Sequence, residues 1–192
     1  MEKKSMKEKV SMESLKVILV GDSSVGKTSI INYYMKNDAP VIPTIGADYT
    51  EVELQGDGVQ VQLKVFDTAG QEKYSALMPM YFREKDIFIV VFDLTSLETL
   101  QNVEKWVYRI HELAGEQTII IVGNKSDLQT QVTNDQIEQI IRRVDPRKSF
   151  LTSAKTGSNI NELFEYLAFS KDIQRNPEDP NLIPKESQKK CC

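Results

Sequence analysis

Three long runs of apolar residues constrain the fold of this chain more than any other feature. They are "LKVILV" at 15–20, "IFIVVF" at 87–92 and "TIIIV" at 118–122, and β-branched residues are frequent in them. Near-continuous apolar runs of this length are typical of parallel strands that are covered on both faces. Segments with helical patterning separate them. The alternation predicts an α/β domain with right-handed crossovers, helices on both faces of a parallel sheet, and a ligand crevice at the carboxyl ends of the strands.

A second pair of strands differs from these runs in its pattern. "VQVQLKVF" at 59–66 alternates strictly between apolar and polar residues, "YTEVEL" at 49–54 does so nearly, and the intervening "QGDG" offers glycines for a turn. This alternation around one turn predicts an antiparallel hairpin at one edge of the sheet. Helix starts are indicated by three capping boxes, which are Thr95 with Glu98, Thr133 with Gln136, and Asn159 with Glu162.

The composition is that of one ordinary domain. The chain has 192 residues, 40% hydrophobic and 27% charged, and its formal net charge of -4 gives no global attraction to nucleic acid. The opening "MEKKSMKEKVSMES" has no apolar run, so neither a signal peptide nor a membrane span is predicted, and the cytoplasm is the expected compartment. We predict a monomer with one domain at 15–170, flanked by disordered polar arms at 1–14 and 171–192.

The segment directly after the first apolar run is rich in glycine and serine. "GDSSVGKT", from Gly21 to Thr28, matches the phosphate-loop pattern of Gly, four residues and Gly-Lys-Thr. In such a loop the backbone amides and a helix N-terminus point at an anion, Lys27 reaches the terminal phosphates, and Thr28 supplies a hydroxyl to magnesium. The pattern fits kinases and transport ATPases as well, so it leaves the nucleotide base open.

A second polar motif, "NKSD" at 124–127, follows the buried run at 118–122. We expect it at the same rim of the sheet as the phosphate loop, although a short motif of this kind can also be a polar turn. The carboxylate of Asp127 can accept hydrogen bonds from the ring N–H and the exocyclic amine of guanine, whereas adenine lacks both donors. The Lys125 stem can lie along the base plane. Together the two motifs predict a guanine nucleotide.

The order of the motifs resembles that of a known family, the Ras-like small GTPases, and within it the Rab branch. Residues 15–170 contain "GDSSVGKT", "PTIGADY", "DTAGQE", "GNKSD" and "TSAK" in the family's order. The resemblance implies a phosphate-loop G-domain with a six-stranded, mostly parallel sheet, one antiparallel hairpin strand and helices on both faces. It also implies GTP or GDP and Mg²⁺ as ligands. No residue stands out as an internal arginine finger, which adds about 10³ to 10⁵ to the rate, so slow GTP hydrolysis is expected.

The resemblance also assigns roles to the residues that match the family's motifs. Thr44 would close over the magnesium ion and the terminal phosphate, and Asp67 would hold the metal through water. The amide of Gly70 would contact that phosphate and Gln71 would orient the attacking water, so Gln71 and Lys27 are the expected catalytic residues. The expected metal site consists of Thr28, Thr44 and Asp67. The expected nucleotide contacts are Gly21, Ser23, Ser24, Val25, Gly26, Lys27, Thr28, Ser29, Thr44, Gly70, Asn124, Lys125, Asp127, Ser153, Ala154 and Lys155.

Two features indicate the Rab branch in particular. Tyr49, Phe66 and Tyr81 fall where Rab proteins place three aromatic residues that meet effectors, although they can equally belong to the core of an edge hairpin. Cys191 and Cys192 are the only cysteines, and the pair resembles a double geranylgeranylation site. The resemblance implies a switch in vesicle traffic on the cytoplasmic face of an intracellular membrane, cycling with the cytosol. The implied partners are an exchange factor, a GTPase-activating protein, a GDP-dissociation inhibitor, the prenylation machinery and effectors.

Some positions depart from the family's pattern. The stretch between Lys27 and Thr44 is shorter than usual, and Ala39 lies near where the family has an aromatic ring against the guanine. An alternative function is therefore a nucleotide-binding module with lost or very slow hydrolysis, against which the intact Gln71 argues. Trp106, the single tryptophan, lies in a predicted amphipathic helix, where we expect a packing or surface role.

Overall fold

The computed structural model describes residues 11–37, 44, 47–56, 58–68, 78–174 and 176–177. Within these ranges the chain alternates between strands and helices. The strands are β1 (Ser11–Val20), β2 (Ala47–Gly56), β3 (Val59–Thr68), β4 (Ile87–Asp93), β5 (Thr118–Asn124), β6 (Lys148–Leu151) and β7 (Asn176–Pro177). The helices are α1 (Lys27–Tyr34), α2 (Met78–Phe82), α3 (Leu97–Ala114), α4 (Asn134–Val144) and α5 (Ile160–Phe169). Among the residues described, no helix is both long and apolar enough to cross a bilayer.

The strands form one sheet in the order β2-β3-β1-β4-β5-β6, with the short β7 beside β1. Every neighbouring pair in this order is parallel except the hairpin of β2 and β3. The predicted α/β fold, with a six-stranded, mostly parallel sheet and an edge hairpin, is therefore confirmed. Because β1, β4 and β5 run in the same direction, the segments that follow them meet at one rim of the sheet.

Burial on both faces of the sheet explains the continuous apolar runs. In β1, Leu15, Val17 and Leu19 pack in one core with residues of α1 and α5. Ile18 and Val20 pack in a second core with residues of α3 and α4. Successive side chains of a strand point to opposite faces, so a strand that serves two cores carries no polar face. Each fully buried side chain of this size contributes about 1.5 to 3 kcal/mol, which fixes the sheet that carries the site.

The folded region extends beyond the predicted limits of 15 and 170 at both ends. Residues 11–14 belong to β1 and pair with residues 59–62 of β3. Ile173 is 4% exposed and packs in the first core, and residues 176–177 pair with β1. The prediction that the arms include these positions is therefore wrong. Polar residues can join a sheet through backbone hydrogen bonds alone, and such residues leave no apolar pattern in the sequence from which a strand could be predicted.

One of the three predicted capping boxes forms as expected. Gln136 N–H donates to Thr133 Oγ1 at 3.3 Å, and Thr133 N–H donates to Gln136 Oε1 at 2.9 Å. The other two boxes are wrong. The Thr95 hydroxyl and amide both donate to Asp93 Oδ1 at 2.8 Å, so its side chain is engaged by the end of β4 instead of by α3. The side-chain amide of Asn159 donates to the backbone of β6 at 2.7 Å.

Candidate nucleotide-binding site

A cleft of about 1020 Å³ opens at the rim where β1, β5 and β6 end. Of the predicted nucleotide contacts it is lined by Ser23, Ser24, Gly26, Lys27, Thr28, Ser29, Thr44, Asn124, Lys125, Asp127, Ala154 and Lys155. Three further predicted contacts, Gly21, Val25 and Ser153, support these residues without lining the cleft. Gly70 and Gln71 lie outside the described residues, as do Ala39 and the cysteine pair.

The glycines of the phosphate loop are required by close contacts. A Cβ atom added to Gly21, whose φ is 139°, would lie 2.2 Å from the carbonyl oxygen of Val91 in β4. A Cβ atom added to Gly26, with φ of 101°, would lie 2.3 Å from Nδ2 of Asn124. Both positions therefore need a residue without a side chain and with access to positive φ. The loop can then pass close to β4 and β5 while it turns from β1 into α1.

Lys27 is buried, and no carboxylate in the described part of the chain is hydrogen-bonded to it. Its Nζ donates to the backbone carbonyls of Gly21, at 2.9 Å, and Asp22, at 2.8 Å, and the residue is 6% exposed. Burial lowers the pKa of Lys27 to about 8, and the charges of Asp67 and Asp22 oppose that shift. A buried ammonium group at the start of α1, beside first-turn amides without a side-chain cap, is suited to an anion such as phosphate.

The three predicted metal-site residues lie together. Thr28 Oγ1 and Thr44 Oγ1 are 3.0 Å apart, and they donate to Asp67 Oδ2 at 2.5 Å and 3.0 Å. Burial raises the pKa of Asp67, while the hydrogen bonds from the two threonines and the charge of Lys27 lower it in part. The sequence separations of these contacts are 16, 39 and 23 residues, so the fold, and no local motif, brings the oxygens together.

This group fits a magnesium ion. Asp67 Oδ1 is buried and has no hydrogen-bond partner in the described part of the chain. An orphaned carboxylate oxygen beside two hydroxyls is the hard oxygen donor set that Mg²⁺ prefers when phosphates and waters complete its octahedron. The described residues contain no group of three or more His, Cys, Asp or Glu side chains that could hold a metal ion, so an all-protein site for a transition metal is not indicated there.

Asn124 joins the phosphate loop to the base end of the cleft. It is 1% exposed, and its Nδ2 donates to the carbonyl of Val25 at 3.0 Å. Its Oδ1 accepts from the amide of Ala154 at 3.1 Å and from the hydroxyl of Thr152 at 3.3 Å. One buried side chain therefore connects three segments of the cleft wall. The role of Asn124 in this structure is to align the loops on either side of it.

Asp127 is held in one orientation by Ser153. The hydroxyl of Ser153 donates to Asp127 Oδ1 at 2.6 Å, and the carboxylate side chain is 12% exposed. The same hydroxyl oxygen accepts from the amides of Lys155, at 3.2 Å, and Thr156, at 3.1 Å. A hydroxyl has two lone pairs and one proton. In Ser153 both lone pairs accept from these amides and the proton is donated to Asp127. The other carboxylate oxygen, Oδ2, lies 4.0 Å from Nζ of the exposed Lys155 and has room for donors in the cleft.

Lys125 has a partner that the sequence analysis missed. Its Nζ lies 2.6 Å from Oδ2 of Asp93, the last residue of β4. Burial would raise the pKa of Asp93, but hydrogen bonds from Lys125 and Thr95 hold it below its ordinary value. Asp93 is opposite Asn124 in the β4–β5 register. An aspartate at the end of the apolar run at 87–92 was the signal that could have identified it.

Tyr33 is a further cleft residue that the motifs did not indicate. Its side chain comes from α1, lines the cleft and is near the loop after β6, where its hydroxyl lies 3.3 Å from the carbonyl of Thr156. A Cβ atom on Gly157 would lie 1.9 Å from that hydroxyl, so the ring rests against the glycine backbone. The other lining residues outside the motifs are Asn32, Tyr34, Lys36, Asn37, Thr68, Leu128 and Asn161.

The predicted aromatic group is located on the hairpin and α2. The rings of Tyr49 and Phe66 are 5.1 Å apart, and Tyr49 is 46% exposed, which is not a core position. Lys85 Nζ lies 3.9 Å from the centre of the Phe66 ring, a cation–π contact. Phe66 and Tyr81 are partly buried against the second core. A role of the three residues in effector binding stays a prediction.

Comparison with known proteins agrees with this fold. The family model described as Ras family matches residues 16–173. The chain is 36% identical over 155 residues to a putative ras-related protein Rab-5B of Dictyostelium discoideum, and the match covers 79% of this chain and 72% of that protein. It is 35% identical over 167 residues to the GTP-binding protein YPT53 of Saccharomyces cerevisiae, and the match covers 80% of this chain and 74% of that protein. The chain belongs to the Ras family of small GTPases and, within it, to the Rab branch.

Proposed function

We propose that this protein is a molecular switch that binds GTP and GDP together with Mg²⁺, hydrolyses GTP slowly and recruits effectors while GTP is bound. The observation that carries the proposal is the convergence of three kinds of group on one cleft. Lys27 is suited to phosphate, the oxygens around Asp67 are suited to Mg²⁺, and the carboxylate of Asp127 is suited to guanine.

Hydrolysis by such a site depends on position and charge. Phosphoryl transfer needs little covalent help from a protein, so neutralisation of the phosphate oxygens is the main contribution. Lys27 and the loop amides would bind these oxygens, and Thr28, Thr44 and Asp67 would hold the metal. Mg²⁺, when bound, neutralises charge on the terminal phosphates. Gln71 would orient the attacking water, as the resemblance implies.

Slow turnover follows from the residues around the cleft. No arginine is among the described residues that line it, and an arginine finger contributes about 10³ to 10⁵ in rate where one is present. A GTPase-activating protein would have to supply this group. The bound state then lasts long enough to act as a timer for effectors at Tyr49, Phe66 and Tyr81.

The place of action is proposed from the relatives and the cysteine pair. The similar proteins are named as a ras-related Rab protein and a GTP-binding protein. We infer a role in vesicle traffic on the cytoplasmic face of an intracellular membrane, with the protein cycling to the cytosol as a monomer. Prenylation machinery would modify Cys191 and Cys192, a GDP-dissociation inhibitor would extract the protein, and an exchange factor would reload it.

Nucleotide loading of the purified full-length chain tests the switch directly. We expect tight binding of GTP and GDP, no comparable binding of ATP, dependence on Mg²⁺, and slow release of phosphate in a single turnover. Gln71→Leu should retain GTP binding and hydrolyse it more slowly still. Equal binding of ATP would contradict the assignment of the base. Unchanged, negligible hydrolysis in the parent and in Gln71→Leu would instead support a nucleotide-binding module without useful turnover.

A further inference from the structure

Asp22 is a carboxylate within the phosphate loop, and helix α3 holds its side chain. Asn102 Nδ2 donates to Asp22 Oδ2 at 2.7 Å, and Trp106 Nε1 donates to Asp22 Oδ1 at 2.9 Å. Both bonds are partly buried and join residues 80 and 84 positions apart in the chain. Each carboxylate oxygen therefore receives one donor from the same face of α3. Trp106 also packs against the second core, so its ring is fixed while its N–H points at the loop.

The backbone carbonyl of Asp22 is hydrogen-bonded to Lys27 of the cleft at the same time. Its carbonyl oxygen accepts from Lys27 Nζ at 2.8 Å, next to the Gly21 carbonyl at 2.9 Å. The side chain of Asp22 is not among the groups that line the cleft, whereas the next two residues, Ser23 and Ser24, are. The carboxylate of Asp22 is thus bound to α3, while its backbone carbonyl is bound to Lys27, the lysine that is suited to phosphate.

A carboxylate at this position is an electrostatic problem for a phosphate site. Like charges repel strongly where water is partly excluded, whereas the same carboxylate favours the charged form of Lys27. Two N–H donors stabilise the negative charge of Asp22 and hold it towards α3, and hydrogen bonds to an ionised acceptor are the stronger ones. Without these donors the side chain would be free to rotate, and it would carry its charge closer to the phosphates.

We propose that Asn102 and Trp106 are positioning residues for phosphate binding, because they hold the Asp22 carboxylate against α3 and thereby fix the phosphate loop with this charge directed away from the bound nucleotide. The inference rests on the proposed function, since it concerns how tightly GTP and GDP are held. It gives Trp106 a role beyond the packing expected from its amphipathic helix.

Conservative variants of the full-length chain test the two donors. Trp106→Phe keeps an aromatic ring and removes the N–H, and Asn102→Ala removes the amide. We expect each to speed GDP dissociation roughly tenfold, the order expected for one hydrogen bond to a charged group, and the double variant to exceed either single one. GMP lacks the β-phosphate that the loop and Lys27 would hold, so its affinity, measured by competition, should change much less than that of GDP.

Removal of the charge provides the decisive second measurement. If the freed carboxylate repels phosphate, Asp22→Asn added to the Asn102→Ala, Trp106→Phe background should slow GDP dissociation again. A general loosening of the fold would not be repaired by this third change. Glu104→Gln is the matched control, because it removes an ion pair of 3.1 Å between α3 and Arg143 of α4 without touching the phosphate loop. Its GDP dissociation should equal that of the parent.

Three results would overturn the inference while leaving the proposed function intact. They are unchanged GDP dissociation in both single variants, an equal loss of GMP and GDP affinity, and no recovery when Asp22→Asn is added. Failure of the parent chain to bind GDP would be a different result, because it would refute the proposed function itself. Thermal unfolding midpoints of all variants, measured in parallel, show whether each remains folded at the assay temperature.

Discussion

Replacement of Asp127 by asparagine is the sharpest test of base recognition, because the structure fixes how the new side chain must lie. The Ser153 hydroxyl oxygen already accepts from two backbone amides, so its lone pairs are occupied and only its proton remains for residue 127. The asparagine oxygen must therefore face Ser153. Its NH₂ group is then directed to the cleft, towards the position where guanine would present its own N–H donors.

The expected magnitude follows from this orientation. Two hydrogen bonds to a charged acceptor, at about 1.5 to 3 kcal/mol each, would be lost and replaced by opposed donors. The total is about 3 to 6 kcal/mol, or roughly 10² to 10⁴ in the dissociation constant of GDP. Xanthine has a carbonyl in place of the exocyclic amine, and this carbonyl can accept from the new NH₂ group. Asp127→Asn should therefore bind xanthosine diphosphate more tightly than GDP.

Competition between fluorescent GDP and unlabelled GDP, xanthosine diphosphate or pyrophosphate measures this reversal. Pyrophosphate binding should be unchanged, because the substitution lies at the base end of the cleft. Asp127→Ala is the matched control, since it removes the carboxylate without adding a donor and should lose GDP without gaining xanthosine diphosphate. If Asp127→Asn still prefers GDP, the base does not contact this carboxylate as inferred.

Three further outcomes follow from the same geometry. Gly21→Ala should prevent stable folding or nucleotide binding, because its Cβ would lie 2.2 Å from the Val91 carbonyl; thermal unfolding and GDP binding check this. Burial lowers the pKa of Lys27 from 10.5 to about 8, so between these pH values the unfolded chain binds this proton more tightly than the folded one. The free energy of unfolding of nucleotide-free protein should therefore increase as the pH rises from about 8 towards 10.5. A bound phosphate should remove this increase. Replacing both Cys191 and Cys192 by serine should release the protein from membranes without loss of GTP binding, whereas a double variant that stays on membranes would refute the lipid anchor.

Much of the fold was predictable because burial leaves a pattern in the sequence. Strands that serve two cores are apolar throughout, and a one-sided hairpin alternates, so the sheet and its edge could be predicted. The positions at 11–14 and 176–177 could not, since their place in the sheet depends on backbone pairing with β3 and β1. Thr95 illustrates a competing local interaction. Its amide and hydroxyl both donate to Asp93, so its side chain does not cap α3.

The site was predictable where its residues follow buried strands directly, and not where tertiary contacts bring them in. Lys27 and Asp127 lie in segments that follow β1 and β5, so their motifs located them. Asp93 reaches Lys125 only through the β4–β5 register, and Tyr33 reaches the loop after β6 only through the packing of α1. No sequence spacing indicates either contact, although the position of Asp93 at the end of a buried apolar run could have placed it at this rim.

The hydrogen bonds of the described residues join some parts of the site more extensively than others. Asn124, with 1% of its surface exposed, forms three hydrogen bonds that join the loop proposed to bind phosphate to the loop proposed to select the base. Among the described residues, the Thr44 hydroxyl donates one hydrogen bond to Asp67 Oδ2 at 3.0 Å, and it lies 3.0 Å from the Thr28 hydroxyl, whose own proton is donated to Asp67. A hydrogen bond to a carboxylate contributes about 1.5 to 3 kcal/mol net. In the role proposed above, a nucleotide would contact Thr44 only through its terminal phosphate and metal. It would then need to supply just a few kcal/mol to shift Thr44 between attached and released states, without changing the contacts of Asn124.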